Sequence, residues 1–127
     1  MPRTNKKIVT LSSLIRKVGF EQNQARIRLV ELQNDMDQLK KIIEKIESEI
    51  KKIKNENMGN GYLIQKRIKY TSILHENLEI SINRVDFIEK EISNLYNKIG
   101  NFKYRENLLL DKVKQLQALQ ATISLQN

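Results

Sequence analysis

Few side chains in this sequence could take part in catalysis or hold a metal ion. The chain has no cysteine and a single histidine, His75, so it cannot assemble a Cys/His metal site or a nucleophile paired with a histidine base. Asp35 and Asp37 are two residues apart, a spacing that points them to different sides of a helix. The Gly59-Asn60-Gly61 segment lacks the Lys-Ser/Thr of a phosphate-binding loop. We therefore expect no enzyme activity, no cofactor and no bound metal.

Length and composition favour long helices over a compact globular core. The chain has 127 residues, enough for one domain, with only 6% aromatic residues, no Trp and 30% charged residues. No apolar run approaches the roughly 18–20 residues of a membrane span. The basic N-terminus is not followed by an apolar stretch of secretory type. The sequence predicts a cytoplasmic protein without a membrane span.

Positive charge is concentrated at the two ends of the chain. The net charge is +8, of which residues 1–28 carry +6 and residues 103–127 carry +2, while the sequence between them is balanced. A basic excess indicates an acidic partner. Nucleic acid is one such partner, but the alternation of Lys and Glu in the middle and the scarcity of aromatic residues near the ends argue against it.

Apolar residues recur every three or four positions along most of the sequence. A mean spacing of 3.5 residues is typical of helices that supercoil with a left-handed twist. We call these positions the seam. In the first helix they are Ile8, Leu11, Ile15, Val18, Gln22, Ala25, Leu29, Leu32, Met36, Leu39, Ile43, Ile46, Ile50 and Ile53. In the second helix they are Ile64, Arg67, Thr71, Leu74, Leu78, Ser81, Val85, Ile88, Ile92, Leu95, Ile99, Phe102, Glu106, Leu109, Val113, Leu116, Gln120 and Ile123.

One strong helix-breaking cluster, Asn57-Met58-Gly59-Asn60-Gly61, separates the two series. Gly59 suits the left-handed position that ends a helix, and Asn60 suits an N-cap. The sequence thus predicts an all-α fold, a long antiparallel two-helix coiled-coil hairpin forming a single domain, with helix one at 5–57, the turn at 58–61 and helix two at 62–125. The same heptads could also make a parallel homo-oligomer or a swapped dimer.

The short connection also predicts the register of the two helices. If Ile53 layers with Ile64, the numbers of facing residues add to 117, so that Ile43 meets Leu74 and Gln22 meets Leu95. Helix two then projects beyond helix one from about residue 112.

That projecting segment carries Leu116, Leu119, Ile123 and Leu125 within a basic surround. It is either a frayed end or an apolar tip that enters a partner. Gly19 and Gly100 fall within about a turn of each other in this register. They mark either a hinge or close backbone approach, or tolerated surface positions.

A basic antiparallel hairpin with both termini at one end and a longer second helix resembles the FliJ/YscO group, the central-stalk proteins of flagellar and type III secretion export ATPases. Locally, the segment 66–79, KRIKYTSILHENLE, is similar to the Arg-aromatic, aliphatic, Leu-Glu stretch of flagellar members, with Ile68 in place of the family aromatic. The short length is more similar to injectisome members involved in virulence.

The resemblance implies that the end with the termini enters the pore of a hexameric ATPase, stimulates its hydrolysis and couples it to the export gate. It implies a cytoplasmic location peripheral to the secretion apparatus, and secretion chaperones as further partners. Leu74 and Leu78 match the gate-docking pair of flagellar members. The residues assigned to ATPase binding are Arg3, Lys6, Lys7, Arg16, Lys17, Lys103, Arg105, Lys112, Lys114, Leu116, Leu119 and Ile123.

A second hypothesis is a generic coiled-coil tether or a chaperone-like interaction protein, for example one similar to prefoldin. Prefoldin subunits need strand-forming segments between their helices, and the cluster at 57–61 leaves no room for them. A nucleic-acid binder is the third hypothesis.

Overall fold

The computed structural model describes residues 2–55 and 61–126, with side chains from residue 3 to 55 and from 61 to 125. All of these residues are α-helical, in α1 (Pro2–Asn55) and α2 (Gly61–Gln126), which pack against each other. The prediction of an all-α helical hairpin is confirmed.

The helix ends differ slightly from the predicted ones. α1 begins at Pro2, a residue that the first turn of a helix tolerates because its missing N–H has no intrahelical partner there. Gly61, predicted in the turn, is the first residue of α2. Residues 56–60, with the predicted caps Gly59 and Asn60, lie outside the described residues.

The chain divides into two compact units, each containing part of both helices. The terminal unit comprises Met1–Leu29 and Ser93–Asn127, and the central unit comprises Val30–Ile92. The terminal unit therefore contains both ends of the sequence.

The seam forms the core of each unit. Every seam residue of α1 and α2 is buried or half-buried, and the least exposed are Leu32 at 2% and Leu74 at 6%. Apolar residues outside the seam stay exposed, as Val9 does at 65%. Only one stripe of each helix is therefore covered by the other helix. The buried residues follow the 3.5-residue spacing that the sequence predicted for the seam. Each seam leucine contributes up to about 2–3 kcal/mol of apolar burial.

Two polar residues are buried in the seam as deeply as the aliphatic ones. Ser81 is 8% exposed, and Thr4, which lies seven residues before Leu11, is 7% exposed. Thr4 therefore extends the seam of α1 toward the N-terminus, beyond the predicted start at Ile8. Among the described residues, no buried side-chain nitrogen or oxygen lacks a hydrogen-bond partner, so these hydroxyls do not carry the cost of an unsatisfied polar group.

In the terminal unit the predicted register is wrong. The Nε2 of Gln120 donates a hydrogen bond to Oδ1 of Asn5, whereas the predicted register places residue 112 opposite Asn5. Gln22, predicted to face Leu95, instead lies 3.0 Å from the carboxylate of Glu106 when its amide is oriented to satisfy its neighbours. α2 is thus displaced by about one heptad, and residues 112–120 lie beside α1 instead of projecting past it.

In the central unit a side-chain hydrogen bond also joins the two helices. The Tyr70 hydroxyl donates a 2.8 Å hydrogen bond to Oε2 of Glu49. The pKa of Tyr70 is raised from 10.0 because its proton is held in this hydrogen bond and because the negative charge of Glu49 opposes a tyrosinate.

Gly19 and Gly100 are not sites of close backbone approach. A Cβ built on either glycine meets no atom within 4 Å outside its own helical neighbourhood, and neither has a positive φ. Of the two interpretations, the geometry favours tolerated surface positions.

Candidate functional site

The terminal unit carries the whole positive excess of the protein. It contains twelve Lys and Arg residues and three acidic residues, which gives a net charge of +9. The central unit contains eleven Lys and Arg residues and twelve acidic residues, a net charge of −1, so the two units together account for the +8 of the chain. An acidic surface is therefore attracted to the terminal unit and not to the central one.

All residues assigned to ATPase binding lie in the terminal unit. The cationic ones are exposed, as is Leu119 at 50%, while Leu116 and Ile123 are half-buried seam residues. The unit thus combines an exposed cationic surface with partly accessible leucine side chains. Such a combination binds acidic surfaces that also carry apolar groups.

The terminal groove is a depression of about 640 Å³ in this unit. Its apolar part is formed by leucines of both helices and its rim by lysines. The lining residues are Lys6, Lys7, Thr10, Leu11, Lys112, Gln115, Leu116 and Leu119. The apolar tip expected from the sequence is therefore one wall of a groove shared with α1, a consequence of the heptad displacement in this unit.

A second depression in the same unit, the phenylalanine groove, has a volume of about 450 Å³. It is lined by Phe20, Glu21, Gln24, Ala25, Leu95, Lys98 and Phe102. The small side chain of Ala25 occupies a seam position and leaves space beside it, and Phe20, outside the seam and 65% exposed, forms a wall. This groove was not predicted from the sequence, although an alanine in the seam near a phenylalanine outside it was an available signal.

The two residues matched to gate docking lie in the seam of the central unit. Leu74 is buried at 6% exposure and Leu78 is half-buried. A partner could contact Leu74 only after the two helices separated locally. The gate assignment therefore stays a prediction.

An apolar row on the outer side of α2 was not predicted. Ile73, Ile80 and Phe87 are spaced by seven residues and are 53%, 57% and 63% exposed. Seven-residue spacing keeps side chains on one side of a helix, which is the arrangement that a further helix packs against.

No three His, Asp or Glu side chains come close enough to hold a metal ion within residues 2–55 and 61–126. His75 is exposed. In the same ranges, neither helix contains a segment both long and apolar enough to cross a membrane.

Comparisons of the chain with protein-family models, with characterised proteins and with solved structures gave no match.

Proposed function

We propose that this protein is a central-stalk protein of a type III secretion export ATPase. In this role it is not an enzyme. Its terminal unit binds the hexameric ATPase and stimulates hydrolysis, and its central unit couples that hydrolysis to the export gate, in the cytoplasm at the secretion apparatus.

The observation that carries the proposal is the concentration of charge in one unit. A net charge of +9 on the unit that holds both chain ends favours capture by an acidic ring lining, and steering of this kind raises association rates steeply at low salt. The hairpin fold and the resemblance of segment 66–79 to flagellar members support the assignment further.

The test is ATP hydrolysis by a hexameric export ATPase with and without this chain. We expect stimulation that decreases as salt increases, because exposed charges are screened beyond about 8–10 Å. The triple variant Arg16→Glu, Lys17→Glu, Lys112→Glu should lose the stimulation. All three residues are exposed in the terminal unit.

The matched control is Lys40→Glu, Lys51→Glu, Lys54→Glu, which makes the same change in charge on exposed positions of the central unit. It should stimulate like the unmodified chain. An ATPase whose rate does not respond to the unmodified chain, or equal losses in both triple variants, would refute the proposed contact.

The second candidate function, a coiled-coil tether or chaperone-like protein, is favoured by the row formed by Ile73, Ile80 and Phe87. A tether binds through such a row independently of the terminal unit. Capture of a helical partner that is lost on Ile80→Asp, together with no effect on ATP hydrolysis, would support this candidate instead.

A further inference from the structure

Both grooves of the terminal unit open on the same side of the helix pair. We number the heptads so that Ile8 in α1 and Ile64 in α2 occupy position a. In this numbering, the residues that line both grooves lie at heptad positions on the same flank of the seam. Lys7 and Glu21 hold position g in α1, and Lys98 and Lys112 hold it in α2. Each pair is fourteen residues apart, so the grooves are separated by about 21 Å along the helices.

Basic residues follow this flank at regular intervals. Lys98, Arg105 and Lys112 are exposed and spaced by seven residues in α2, and Lys6 and Lys7 add two charges from α1. Glu21 is the only acidic residue that lines either groove. We call this flank the groove face. It consists of the terminal groove and the phenylalanine groove, both with apolar floors, and of the basic residues beside them, Lys98, Arg105 and Lys112.

We propose that the groove face binds an acidic amphipathic helix of a partner protein. The partner helix places apolar side chains about fourteen residues apart, one in each groove. Its acidic side chains recur at intervals of about seven residues, one beside each apolar side chain and one midway between them, and face Lys98, Arg105 and Lys112. The inference deepens the proposed function and rests on it, because Lys6, Lys7 and Lys112 also belong to the surface assigned to the ATPase.

Charge selects this occupant over a second copy of the chain. Two groove faces brought together would place like charges of both copies against each other, which opposes association. An acidic helix neutralises the same charges. An amphipathic helix also presents one apolar stripe, which matches two depressions on a single flank.

The probe is a synthetic acidic helical peptide of about 21 residues with this spacing, added to the full chain and followed by fluorescence anisotropy. A peptide of the same composition in scrambled order measures attraction that depends on charge alone. The test variant is Lys98→Glu with Arg105→Glu. The control variant is Lys40→Glu with Lys54→Glu, which makes the same change in charge on exposed residues of the central unit, outside both the groove face and the surface assigned to the ATPase.

We expect the designed peptide to bind more tightly than the scrambled one and to lose about tenfold in affinity with the test variant but not with the control. Phe20→Ala, which removes an exposed groove wall, should also weaken binding without changing the circular dichroism. No binding, equal binding of both peptides, or equal losses in the two variants would overturn the proposal. A dimer of the free chain that the test variant dissociates would overturn it too, by identifying a second copy as the occupant.

The peptide assay contains no ATPase, so the two proposals fail separately. If the chain does not stimulate hydrolysis but binds the designed peptide on the groove face, the ATPase assignment is wrong and the chemistry of the partner stands. If it stimulates hydrolysis but does not discriminate between the peptides, the groove face is not the recognition surface.

Discussion

Replacing Gly19 and Gly100 with alanine should stabilise the hairpin. Both glycines lie inside long helices, where glycine retains more freedom in the unfolded chain than alanine does. A methyl group at either position meets nothing within 4 Å, and neither residue has a positive φ. No clash or backbone strain therefore offsets the gain in helix propensity.

The expected gain is about 1 kcal/mol for each substitution, the helix-interior difference between Gly and Ala. The gains should add, because independent sites without shared contacts are usually additive. For a chain of this length, 1 kcal/mol corresponds to a shift in Tm of about 3–6 °C, so the double variant should melt about 6–12 °C higher. The matched control is Gln38→Ala at an exposed position of α1, which should change Tm little because Gln is nearly as good a helix former as Ala.

Thermal unfolding followed by circular dichroism measures these shifts. A fall in Tm in either single variant would contradict the geometry, since it would mean that the glycine permits a close approach or a bend. A rise in Tm with lost ATPase stimulation would mean that the chain needs flexibility at these positions to act.

Three further predictions follow from the packing. Leu32→Ala should lower the free energy of unfolding by about 2–4 kcal/mol, or leave the chain unfolded at room temperature, because Leu32 is almost fully buried. Val30→Ala, at an exposed position, should change it by less than about 1 kcal/mol, and chemical denaturation measures both values. Asn5→Cys combined with Gln120→Cys should form a disulfide under mild oxidation in this cysteine-free chain. Asn5→Cys combined with Lys112→Cys should not, and the opposite result would restore the predicted register. The raised pKa of Tyr70 means that the fold favours its protonated hydroxyl, so the stabilising effect of this contact should be present below pH 10 and lost as pH rises through the raised pKa. Glu49→Ala, which removes both the acceptor and the negative charge, should lower the tyrosinate midpoint in an ultraviolet titration; an unchanged midpoint would show that the hydrogen bond does not form in solution.

The periodicity of the sequence was enough to predict the core. Burial in a two-helix structure depends on which side of each helix a residue lies, and the 3.5-residue spacing from Ile8 to Ile123 encodes that side directly. Even polar members of the series, such as Gln22 and Ser81, are covered where their position in the heptad places them.

The register could not be obtained in the same way. Moving one helix by seven residues returns an a or d residue opposite every seam position, so the pattern is nearly the same before and after the shift. Side-chain size and local hydrogen bonds, such as the one between Asn5 and Gln120, then determine which of these alternative registers the two helices adopt. The error carried into the interpretation of Leu116 and Leu119, which were expected beyond α1 and instead line a groove with it.

The grooves themselves depend on missing volume, which a hydrophobic pattern does not record. Ala25 satisfies the seam as an apolar residue, but its small side chain leaves the space that Phe20 and Phe102 border. The basic residues of the terminal groove, Lys6, Lys7 and Lys112, were identified from the sequence because exposed charge needs no knowledge of packing, whereas Lys98 of the phenylalanine groove was not.

No described side chain is less than 2% exposed, so water reaches every layer of the seam from at least one side. Each layer is held mainly by the layers before and after it, and opening one of them disturbs few others. Amide hydrogens should consequently exchange with a graded, segment-by-segment protection that is strongest around Leu32.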